Sequence, residues 1–377
     1  MKVAFVHDFL NEYGGAERVV EAMHEVFPDA PIFTTLYEPS SLPDSFPKHK
    51  VQQINFFKNP FLKIFSKQIT PFYPIAIESI DLENYGIIVS STAGFAKGLV
   101  TKKDQVHICY CHTPPRFLYK YEGESSRRMA WYYAPAVTLL DSLFRIWDYA
   151  AAQRVTFFLT NSHNTAERIR KFYRRHAEVL YPPVSFVPKE IENQKKESQN
   201  HNDYFLVVSR FSAYKHVELA IEACNRLGKK LIVVGKGKEE KKLKSVAGAT
   251  ISFLGFVSDV ELANLYKNAQ ALIYTPMDED FGISPLEAIS FGCPVIGHRS
   301  GGTKETILEG KTGEFFDEYS VEALILLLKS FERSKYNLTD LSKQVDRFSK
   351  EIFQEKFREL INKSINLNSE RKEDTLY

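Results

Sequence analysis

The apolar residues of this chain fall into short continuous runs that alternate with segments of helical periodicity. In the first half of the chain the runs lie at 2–7, 30–35, 85–91, 106–111 and 156–162. Runs that are continuous, rather than alternately apolar and polar, are typical of parallel strands buried on both faces. Helical periodicity over 16–23, 136–152 and 164–174 falls between them. Strands that alternate with helices in this way predict a mostly parallel sheet.

The same alternation restarts after a polar segment at 185–203, SFVPKEIENQKKESQNHND, which has the composition of an exposed linker. The strands predicted beyond it lie at 204–208, 230–234, 251–254, 271–274 and 294–296. We therefore expect an α/β protein with two Rossmann-like parallel-sheet domains, 1–184 and 204–345, that face each other across a cleft. An amphipathic helix at 349–363 lies within the closing segment 346–377.

One stretch of the second domain, 275–296, carries the strongest chemical signal. Its sequence, TPMDEDFGISPLEAISFGCPVI, predicts the end of a strand, a turn at Phe281 and Gly282, and then a helix. We expect this helix to start near Ser284, with Ser284 as its N-cap and Pro285 in its first turn, where proline loses no hydrogen bond.

Two carboxylates, Glu279 and Glu287, lie on either side of this turn, with seven residues between them. Exposed backbone amides at a helix start favour an anionic or hydroxyl-rich ligand. The amides in question belong to Phe281, Gly282 and Ile283. The stretch is therefore a candidate binding site for the donor half of a transfer reaction.

Composition excludes several classes of protein. The formal charge is 49 − 47 = +2 over 377 residues, which gives no general reason to expect a nucleic-acid partner. Four cysteines without framework spacing fit a reducing compartment better than a disulfide scaffold. The apolar run at the N-terminus is too short for a signal peptide, and no stretch approaches the ~20 apolar residues of a transmembrane helix. We expect a cytoplasmic protein, either soluble or peripherally bound to a membrane.

Two cationic side chains follow the first predicted strand of the second domain. Arg210 and Lys215 lie in VSRFSAYK, at the carboxyl end of that strand, where ligands of such sheets bind. An arginine can fork onto phosphate oxygens while a lysine supplies a point charge. A diphosphate leaving group without a metal ion needs such a pair. As isolated residues, both would be ordinary surface charges.

His112 follows a predicted strand of the first domain, where it can donate to a sugar hydroxyl or assist a developing charge. Cys109 and Cys111 beside it allow a zinc site, although the sequence has no second ligand pair. Asp278 and Asp280 form an Asp-x-Asp pattern, which could hold a divalent cation. A Walker-type phosphate loop and a complete Gly-x-Gly-x-x-Gly are absent, which disfavours kinases and dehydrogenases. We expect no metal site.

Residues 45–77 contain no acidic residue and combine lysines with aromatic residues. Lys58, Lys63 and Lys67 could dock on anionic lipid headgroups while neighbouring phenylalanines enter the interface. The alternative is a solvated helix whose phenylalanines belong to the core. A second basic cluster at 168–175 is more simply explained as a solvated helix face.

Taken together, these residues resemble the retaining glycosyltransferases of family 4, which have the GT-B fold. The segment from Glu279 to Glu287 resembles the Glu-x7-Glu signature of that family. Segments 209–215, 234–237, 253–258 and 300–305 also resemble it, in the same order. In the first domain, YGGAER at 13–18 and HICYCHTP at 107–114 resemble the branch that includes bacterial O-antigen mannosyltransferases.

The resemblance implies a role for each candidate in the second domain. Glu279 would bind hydroxyls of the donor sugar and Glu287 the ribose, while Arg210 and Lys215 would neutralise the diphosphate. The backbone around Phe256 would recognise the base. The amides that would hold the sugar and phosphate are those of Phe281, Gly282 and Ile283.

In the first domain, the resemblance implies that His112 contacts the sugar and that Gly14 and Gly15 lie near the diphosphate and the acceptor. The C-terminal helix is expected to cross back onto this domain. The segment 1–184 would bind the acceptor and 204–345 the nucleotide sugar.

The expected activity is transfer of a sugar, with retention, from a nucleotide-sugar donor. The branch resemblance favours GDP-mannose as donor and a lipid-diphosphate-linked saccharide as acceptor, in O-antigen or other surface polysaccharide synthesis at the inner face of the cytoplasmic membrane. No cofactor is expected. The alternatives are a UDP-sugar donor, a nucleotide-sugar epimerase, or a non-enzymatic nucleotide-sugar-binding protein associated with a membrane.

Overall fold

The computed structural model describes residues 1–54, 72–119, 134–184, 203–337, 341 and 344–374, with backbone alone at 134–136 and 367–374. The chain divides into two compact units, with boundaries between Pro183 and Val184 and between Ser349 and Lys350. The first unit contains the N-terminal part together with the segment from Lys350 onward, and the second is built on Val184–Ser349. Residues 185–202 of the expected linker lie outside the described residues, as do Lys58, Lys63 and Lys67.

The first unit is built on a seven-stranded sheet in which every described strand pair is parallel. Its strands are β1 (Val3–Leu10), β2 (Ile32–Tyr37), β3 (Val51–Gln53), β4 (Ile87–Thr92), β5 (Val106–Cys111), β6 (Phe157–Thr160) and β7 (Ala177–Val179). They lie in the order β3-β2-β1-β4-β5-β6-β7. Its described helices are α1 (Gly15–Val26), α2 (Tyr73–Glu78), α3 (Arg116–Tyr119), α4 (Ala134–Arg154) and α5 (His163–Tyr173).

The second unit contains a six-stranded sheet, again with parallel pairing throughout. Its strands are β8 (Tyr204–Val208), β9 (Lys230–Val234), β10 (Ile251–Gly255), β11 (Leu272–Tyr274), β12 (Val295–His298) and β13 (Gly313–Phe316). They lie in the order β10-β9-β8-β11-β12-β13. Its described helices are α6 (Val217–Leu227), α7 (Glu240–Val246), α8 (Asp259–Asn268), α9 (Ile283–Ser290), α10 (Thr303–Thr306) and α11 (Val321–Ser330). The prediction of two parallel-sheet α/β domains is confirmed.

Three strands were not predicted, and each of them is an edge strand of its sheet. β3, β7 and β13 have three, three and four residues. β3 (VQQ) and β7 (AEV) have only partly buried faces, so they lack the continuous apolar run that marks the central strands. Short edge strands of this kind carry little sequence signal because half their backbone faces solvent.

The C-terminal helix, α12 (Lys350–Asp374), packs on the first unit. Phe353, Phe357 and Ile361 recur every four residues along it and are buried in the same cluster as residues of α1 and of the sheet. The Phe353 ring lies 6.4 Å from that of Tyr110 on β5. The spacing of these three residues, one per turn, gives the helix a single apolar face that docks on the sheet and α1.

The sequence suggested that the basic cluster at 168–175 is a solvated helix face, but only part of the cluster is exposed. Arg170, Lys171 and Arg174 are exposed, but Arg168 is buried and donates to Thr113 Oγ1 at 3.2 Å. Arg175 donates to four carbonyl oxygens around the end of α4, those of residues 152, 153, 155 and 156, at 2.7–3.2 Å. A guanidinium satisfies such carbonyls and complements the negative end of the helix dipole.

A buried ion pair joins α4 to the loop after β4. Lys97 and Asp148 form a salt bridge in which both side chains are 1% exposed. The ammonium also donates to the carbonyl of Gly94 at 2.6 Å, and Asp148 accepts from the Tyr119 hydroxyl at 2.9 Å. Burial acts to lower the pKa of Lys97, but the Asp148 carboxylate outweighs it, so the pKa is raised. Each charge is therefore stable in the interior only because the other is present.

Replacing Asp148 with alanine should lower the free energy of unfolding by about 3–5 kcal/mol, because the Lys97 ammonium stays buried without its counter-charge. Urea unfolding followed by the fluorescence of Trp147, on the same helix, measures this loss. The control is Glu83→Ala, which breaks the exposed Lys102–Glu83 pair and should cost less than about 1 kcal/mol. Equal losses in the two variants would contradict the assignment.

Candidate active site

In each sheet, the order in which strands are added reverses at the strand that comes first in its unit, although all strands stay parallel. β1 lies between β2 and β4, and β8 lies between β9 and β11. At such a point the loops from the two neighbouring strands leave in opposite directions, and the carboxyl ends of the strands border a crevice. In the second unit, the loops after β8 and β11 carry Arg210, Lys215 and Glu279. In the first unit, the loop after β1 ends at Gly14, Gly15 is the first residue of α1, and His112 follows β5.

The helix that follows Glu279 begins earlier than predicted. α9 starts at Ile283, and its N-cap is Gly282 with φ 93°, rather than Ser284. Pro285 is consequently the third helical residue, where its missing N–H still has no acceptor within the helix. The prediction followed the side-chain preference for serine at N-caps, but the left-handed turn selects glycine instead. The ring of Phe281, 3% exposed, packs edge-on against Phe348 and anchors this turn.

Glu279 is a buried carboxylate held by donors from three directions. Its Oε2 accepts hydrogen bonds from Lys215 and, at 2.9 Å, from the Tyr274 hydroxyl, and its Oε1 lies 3.3 Å from the amide nitrogen of Asp280. Burial raises the pKa of Tyr274 well above its ordinary value, and the charge of Glu279 adds to the rise, so the phenol remains a neutral donor. The carboxylate is therefore fixed in orientation by side chains and backbone together.

Lys215 and Glu279 form an ion pair with side chains 15% and 10% exposed. Burial acts to lower the pKa of Lys215, but the Glu279 carboxylate and the Tyr214 side chain together outweigh it, so the pKa is raised above its ordinary value. The ammonium also lies 4.8 Å from the centre of the Tyr214 ring, whose face attracts cations. Thr275 donates to the Lys215 carbonyl at 2.7 Å, so the loops after β8 and β11 are joined by backbone and side chain alike.

The other candidates of this unit lie in the loops at the same edge of the sheet. Arg210 is exposed two residues beyond the end of β8. Phe256 follows the end of β10, and its side chain is 82% exposed, an unusual position for a phenylalanine. Glu287 is half-buried in the second turn of α9. Among the site side chains predicted from the sequence, Lys215 and Glu279 contact each other directly, as an ion pair.

The loop after β12 presses against the backbone of Glu279 from the other side. Gly302 donates its amide to the Glu279 carbonyl at 2.7 Å, and the Ser300 hydroxyl accepts from the amide of Asp278 at 2.9 Å. Gly301 has φ +56°, and a Cβ there would lie 2.4 Å from the Glu279 carbonyl oxygen. The glycines of SGGTKE, at 300–305, therefore have a steric function: they let this loop pack closely against the backbone of Asp278 and Glu279.

In the first unit, His112 and Gly14 are the two ends of one hydrogen-bonded chain. His112 Nε2 lies 2.8 Å from Ser91 Oγ, which lies 3.1 Å from His7 Nδ1. His7 Nε2 lies 3.4 Å from Glu17 Oε1, and Glu17 Oε2 accepts the amide of Gly14 at 2.8 Å. The Glu17 side chain thus caps the start of α1 by accepting the hydrogen bond of the Gly14 amide.

Burial lowers the pKa of His112 to about 4, and the neighbouring His7 adds to this effect. His112 is therefore neutral at physiological pH, with one ring hydrogen. The Tyr110 ring lies 5.0 Å from it, and Asn161 holds its backbone carbonyl at 2.9 Å. Such a histidine can donate or accept a single hydrogen bond at each nitrogen but is not a cation.

Asp8 closes the crevice beside β1. Its carboxylate accepts five hydrogen bonds of 2.6–2.9 Å, from the Thr92 hydroxyl and the amides of residues 93, 94, 95 and 96. These amides form the kind of concave cluster that binds anions, and here the anion is a side chain of the same protein. The loop after β4 is therefore locked onto β1.

Four residues of this site were not predicted from the sequence: His7, Asp8, Ser91 and Glu17. Glu17 lies within the YGGAER segment, which could have pointed to it, and Asp8 follows the first apolar run directly. His7 and Ser91 become neighbours only through the register of β1 with β4, 84 residues apart in the chain.

Across the described part of the chain, no group of three or more His, Cys, Asp or Glu residues is arranged to hold a metal ion. Within the same residues, no helix has the length and apolarity needed to cross a membrane.

Gly301→Ala should destabilise the second unit by about 2–4 kcal/mol, since it combines left-handed strain of ~1 kcal/mol with a backbone clash. The matched control is Gly310→Ala, which has φ +70° but no atom within 4 Å of the added Cβ. That variant should lose only the ~1 kcal/mol of strain. Urea unfolding followed by circular dichroism compares the two, and equal losses would contradict the supporting role of Gly301.

Two family comparisons cover most of the chain. Residues 188–351 match the family described as "Glycosyl transferases group 1", and residues 13–186 match the family described as "Glycosyltransferase Family 4". The predicted resemblance is confirmed by both.

Curated relatives agree with this assignment. The chain is 27% identical to "Alpha-1,3/1,6-mannosyltransferase ALG2" of Kluyveromyces lactis, over 82% of this chain and 71% of that protein. It is 30% identical to "O-antigen chain mannosyltransferase RfbU" of Salmonella typhimurium, over 44% of this chain and 48% of that protein.

Solved structures agree on the fold. The structure of Anabaena HepE in complex with UDP superposes with a TM-score of 0.68 at 17% identity, covering 96% of this chain and all (100%) of that one. The galactosyltransferase WaaB gives a TM-score of 0.66 at 18% identity, covering 96% and 99%. The two parallel-sheet units and the matches along both of them establish that the chain belongs to the family 4 glycosyltransferases, with the GT-B fold.

Proposed function

We propose that this protein is a retaining hexosyltransferase that takes mannose from GDP-mannose. The observation that carries the proposal is the Lys215–Glu279 pair at the reversal point of the second sheet, next to the start of α9. A buried cation, a fixed carboxylate and helix amides at one edge provide complementary groups for a diphosphate and for sugar hydroxyls.

The proposed roles follow the chemistry of each residue. Arg210 and Lys215 stabilise the diphosphate as it leaves, which is the point where negative charge develops. Glu279 accepts hydrogen bonds from the sugar hydroxyls and Glu287 from the ribose. The amides of Gly282 and Ile283 face the sugar and phosphate, because the first amides of a helix have no acceptor within it.

Phe256 is proposed to border the base. Its ring, 82% exposed beyond β10, can stack on a purine or pyrimidine, because every base has a π-face. The mechanism proposed is front-face transfer, in which the leaving phosphate helps to deprotonate the acceptor hydroxyl, so no metal ion and no covalent nucleophile are required.

Support for mannose comes from the names of the relatives. Both ALG2 and RfbU are called mannosyltransferases; the name of ALG2 gives α-1,3 and α-1,6 linkages, and the name of RfbU gives the O-antigen chain. We therefore propose GDP-mannose as the donor, with a UDP-sugar as the alternative that the HepE complex with UDP brings into consideration. The acceptor is proposed to be a lipid-diphosphate-linked saccharide of a surface polysaccharide, bound by the domain at 1–184 while the domain at 204–345 binds the donor.

The proposed setting is the inner face of the cytoplasmic membrane. Lys58, Lys63 and Lys67, with the phenylalanines between them, give the first domain a segment suited to anionic lipid. A protein that acts on a lipid-linked acceptor gains from such docking, because both then share one surface.

Arg210→Ala and Lys215→Met should each lower kcat for mannosyl transfer by about 100-fold, since each removes a charge that opposes the developing diphosphate. Transfer from a panel of GDP-, UDP- and ADP-sugars to a lipid-diphosphate-linked acceptor, in excess chelator, is the measurement. The matched control is Lys230→Ala, which removes an exposed charge at the amino end of β9 and should retain full activity.

The non-enzymatic alternative predicts a different outcome for the same assay. Wild type and Arg210→Ala would both be inert while GDP-mannose still raised the unfolding temperature of each. That result would overturn the transferase proposal and leave a nucleotide-sugar-binding protein.

Lys58→Glu, Lys63→Glu and Lys67→Glu combined should abolish flotation of the protein with vesicles that contain anionic lipid, because each lysine near such a surface contributes ~1 kcal/mol. Transfer to a water-soluble acceptor analogue should be unchanged. Flotation that is insensitive to the triple substitution would contradict the docking proposal.

A further inference from the structure

Tyr319 lies between β13 and α11, and its side chain contacts three other parts of the carboxyl edge of the second sheet. Its ring centre lies 5.4 Å from that of His216, in the loop after β8, and 4.8 Å from that of His298, the last residue of β12. Its hydroxyl donates to the carbonyl of Thr275, which directly follows β11, at 2.8 Å. One side chain therefore connects the loops that carry the candidate site.

Thr275 is bound from two sides. Its carbonyl accepts from the Tyr319 hydroxyl, and its own hydroxyl donates to the Lys215 carbonyl at 2.7 Å. A backbone carbonyl can only accept, so the direction of both hydrogen bonds is fixed. Thr275 is 2% exposed, and a buried carbonyl that loses its donor is costly. The loops after β13, β11 and β8 are thereby joined in one line that ends at the backbone of Lys215.

The Lys215–Glu279 ion pair closes this line into a ring. Tyr274, the residue before Thr275, donates its hydroxyl to Glu279 Oε2 at 2.9 Å, and the same oxygen accepts from the Lys215 ammonium. The path that began at the Lys215 carbonyl therefore returns to the side chain of the same residue. In such a closed path, a shift of Thr275 relative to the Lys215 backbone must change the separation of the two charges or break a hydrogen bond.

The ring of Tyr319 is wedged between two histidine rings. The planes of His216 and His298 lie at 77° and 80° to it, which is the edge-to-face arrangement that aromatic rings prefer. His298 is itself held, because its ring nitrogens lie 2.8 Å from the Ser300 hydroxyl and 3.2 Å from the Asp317 carbonyl. The Tyr319 hydroxyl is therefore presented to its acceptor from a fixed ring.

We propose that Tyr319 is a positioning residue for sugar transfer, which sets the separation of Lys215 and Glu279 through its hydrogen bond to Thr275. The proposal rests on the proposed function in one respect, namely that Lys215 stabilises the leaving diphosphate. In this role Tyr319 acts through the ion pair rather than on the donor. A misplacement of about 1 Å can cost roughly 100-fold in rate, so the loss of one supporting bond lowers kcat even though both charges remain.

Tyr319→Phe removes the hydroxyl and keeps the ring between the two histidines. The loop after β11 should then open more often, and two amides that bond it to the loop after β12 report this. Asp278 donates to the Ser300 hydroxyl at 2.9 Å, and Gly302 donates to the Glu279 carbonyl at 2.7 Å. We expect hydrogen exchange of both amides, measured by NMR on the full-length protein, to accelerate roughly tenfold, the effect of one lost hydrogen bond to a buried acceptor.

The matched control is Tyr204→Phe. The Tyr204 hydroxyl also donates to a backbone carbonyl at 2.8 Å, that of Leu265 on α8, but Tyr204 is the first residue of β8 and lies at the opposite edge of the sheet. This variant should leave the exchange of Asp278 and Gly302 unchanged. Equal acceleration in the two variants would reflect a general loss of stability and overturn the proposal. Unchanged exchange in Tyr319→Phe overturns it as well, whether or not any sugar is transferred.

A double-mutant cycle tests whether Tyr319 acts through the ion pair. Tyr319→Phe should lower kcat roughly tenfold in the otherwise unchanged enzyme, but about twofold or less in Lys215→Met, which has no pair to position. Tyr204→Phe should lower kcat in neither background. A tenfold loss in both backgrounds overturns the action through Lys215, and an unchanged kcat with accelerated exchange overturns the role in transfer.

Failure of the proposed function gives a different result. A wild type that transfers no sugar from any donor overturns that function, and with it the role of Tyr319 in transfer. The exchange measurement still decides whether Tyr319 fixes the loop after β11, because it requires no turnover.

Discussion

Parallel pairing throughout both sheets is the constraint on which the rest of this structure depends. Because all strands of a sheet end at the same edge, residues that are far apart in the chain must meet there, and the reversal of strand order at β1 and β8 opens a crevice at that edge. Each crevice contains a carboxylate bound by the opposite loop. In the first unit it is Asp8, held by the amides after β4, and in the second it is Glu279, held by Lys215 from the loop after β8.

The two carboxylates are neutralised by different means, and this difference gives the two edges different chemistry. Asp8 is satisfied by neutral amides and a hydroxyl, so the concave cluster at the end of β4 already holds its anion. Glu279 is matched by the full charge of Lys215, which makes that pair neutral and leaves the nearby Arg210 as an exposed cation. This difference agrees with the roles proposed above, in which the second unit binds the diphosphate and the first presents the neutral ring of His112.

The two parallel sheets were predictable from the sequence, but most of their edge strands and the side-chain pairs of the site were not. Continuous apolar runs such as 106–111 identified the central strands because burial on both faces imposes them, whereas β3 and β7 have no such pattern. The start of α9 was misplaced because a side-chain rule favoured Ser284, while the backbone needed a left-handed residue, Gly282. Lys215 and Glu279 were each identified from local sequence, but their pairing, like that of His7 with Ser91, depends on strand order, which local sequence does not encode.

The pairing of Lys215 with Glu279 also changes how their separate roles can be understood. Considered alone, the lysine would be assigned to the phosphate and the carboxylate to the sugar, as independent contacts. Since Glu279, together with Tyr214, outweighs the burial that would otherwise lower the pKa of Lys215, the carboxylate helps to keep the lysine charged at this depth. In the roles proposed above, removing Glu279 would therefore weaken phosphate stabilisation as well as sugar binding, because the two groups form one ion pair whose net charge is zero. Arg210, which follows β8 at the same edge of the sheet, is exposed and adds a second cationic side chain to this neutral pair.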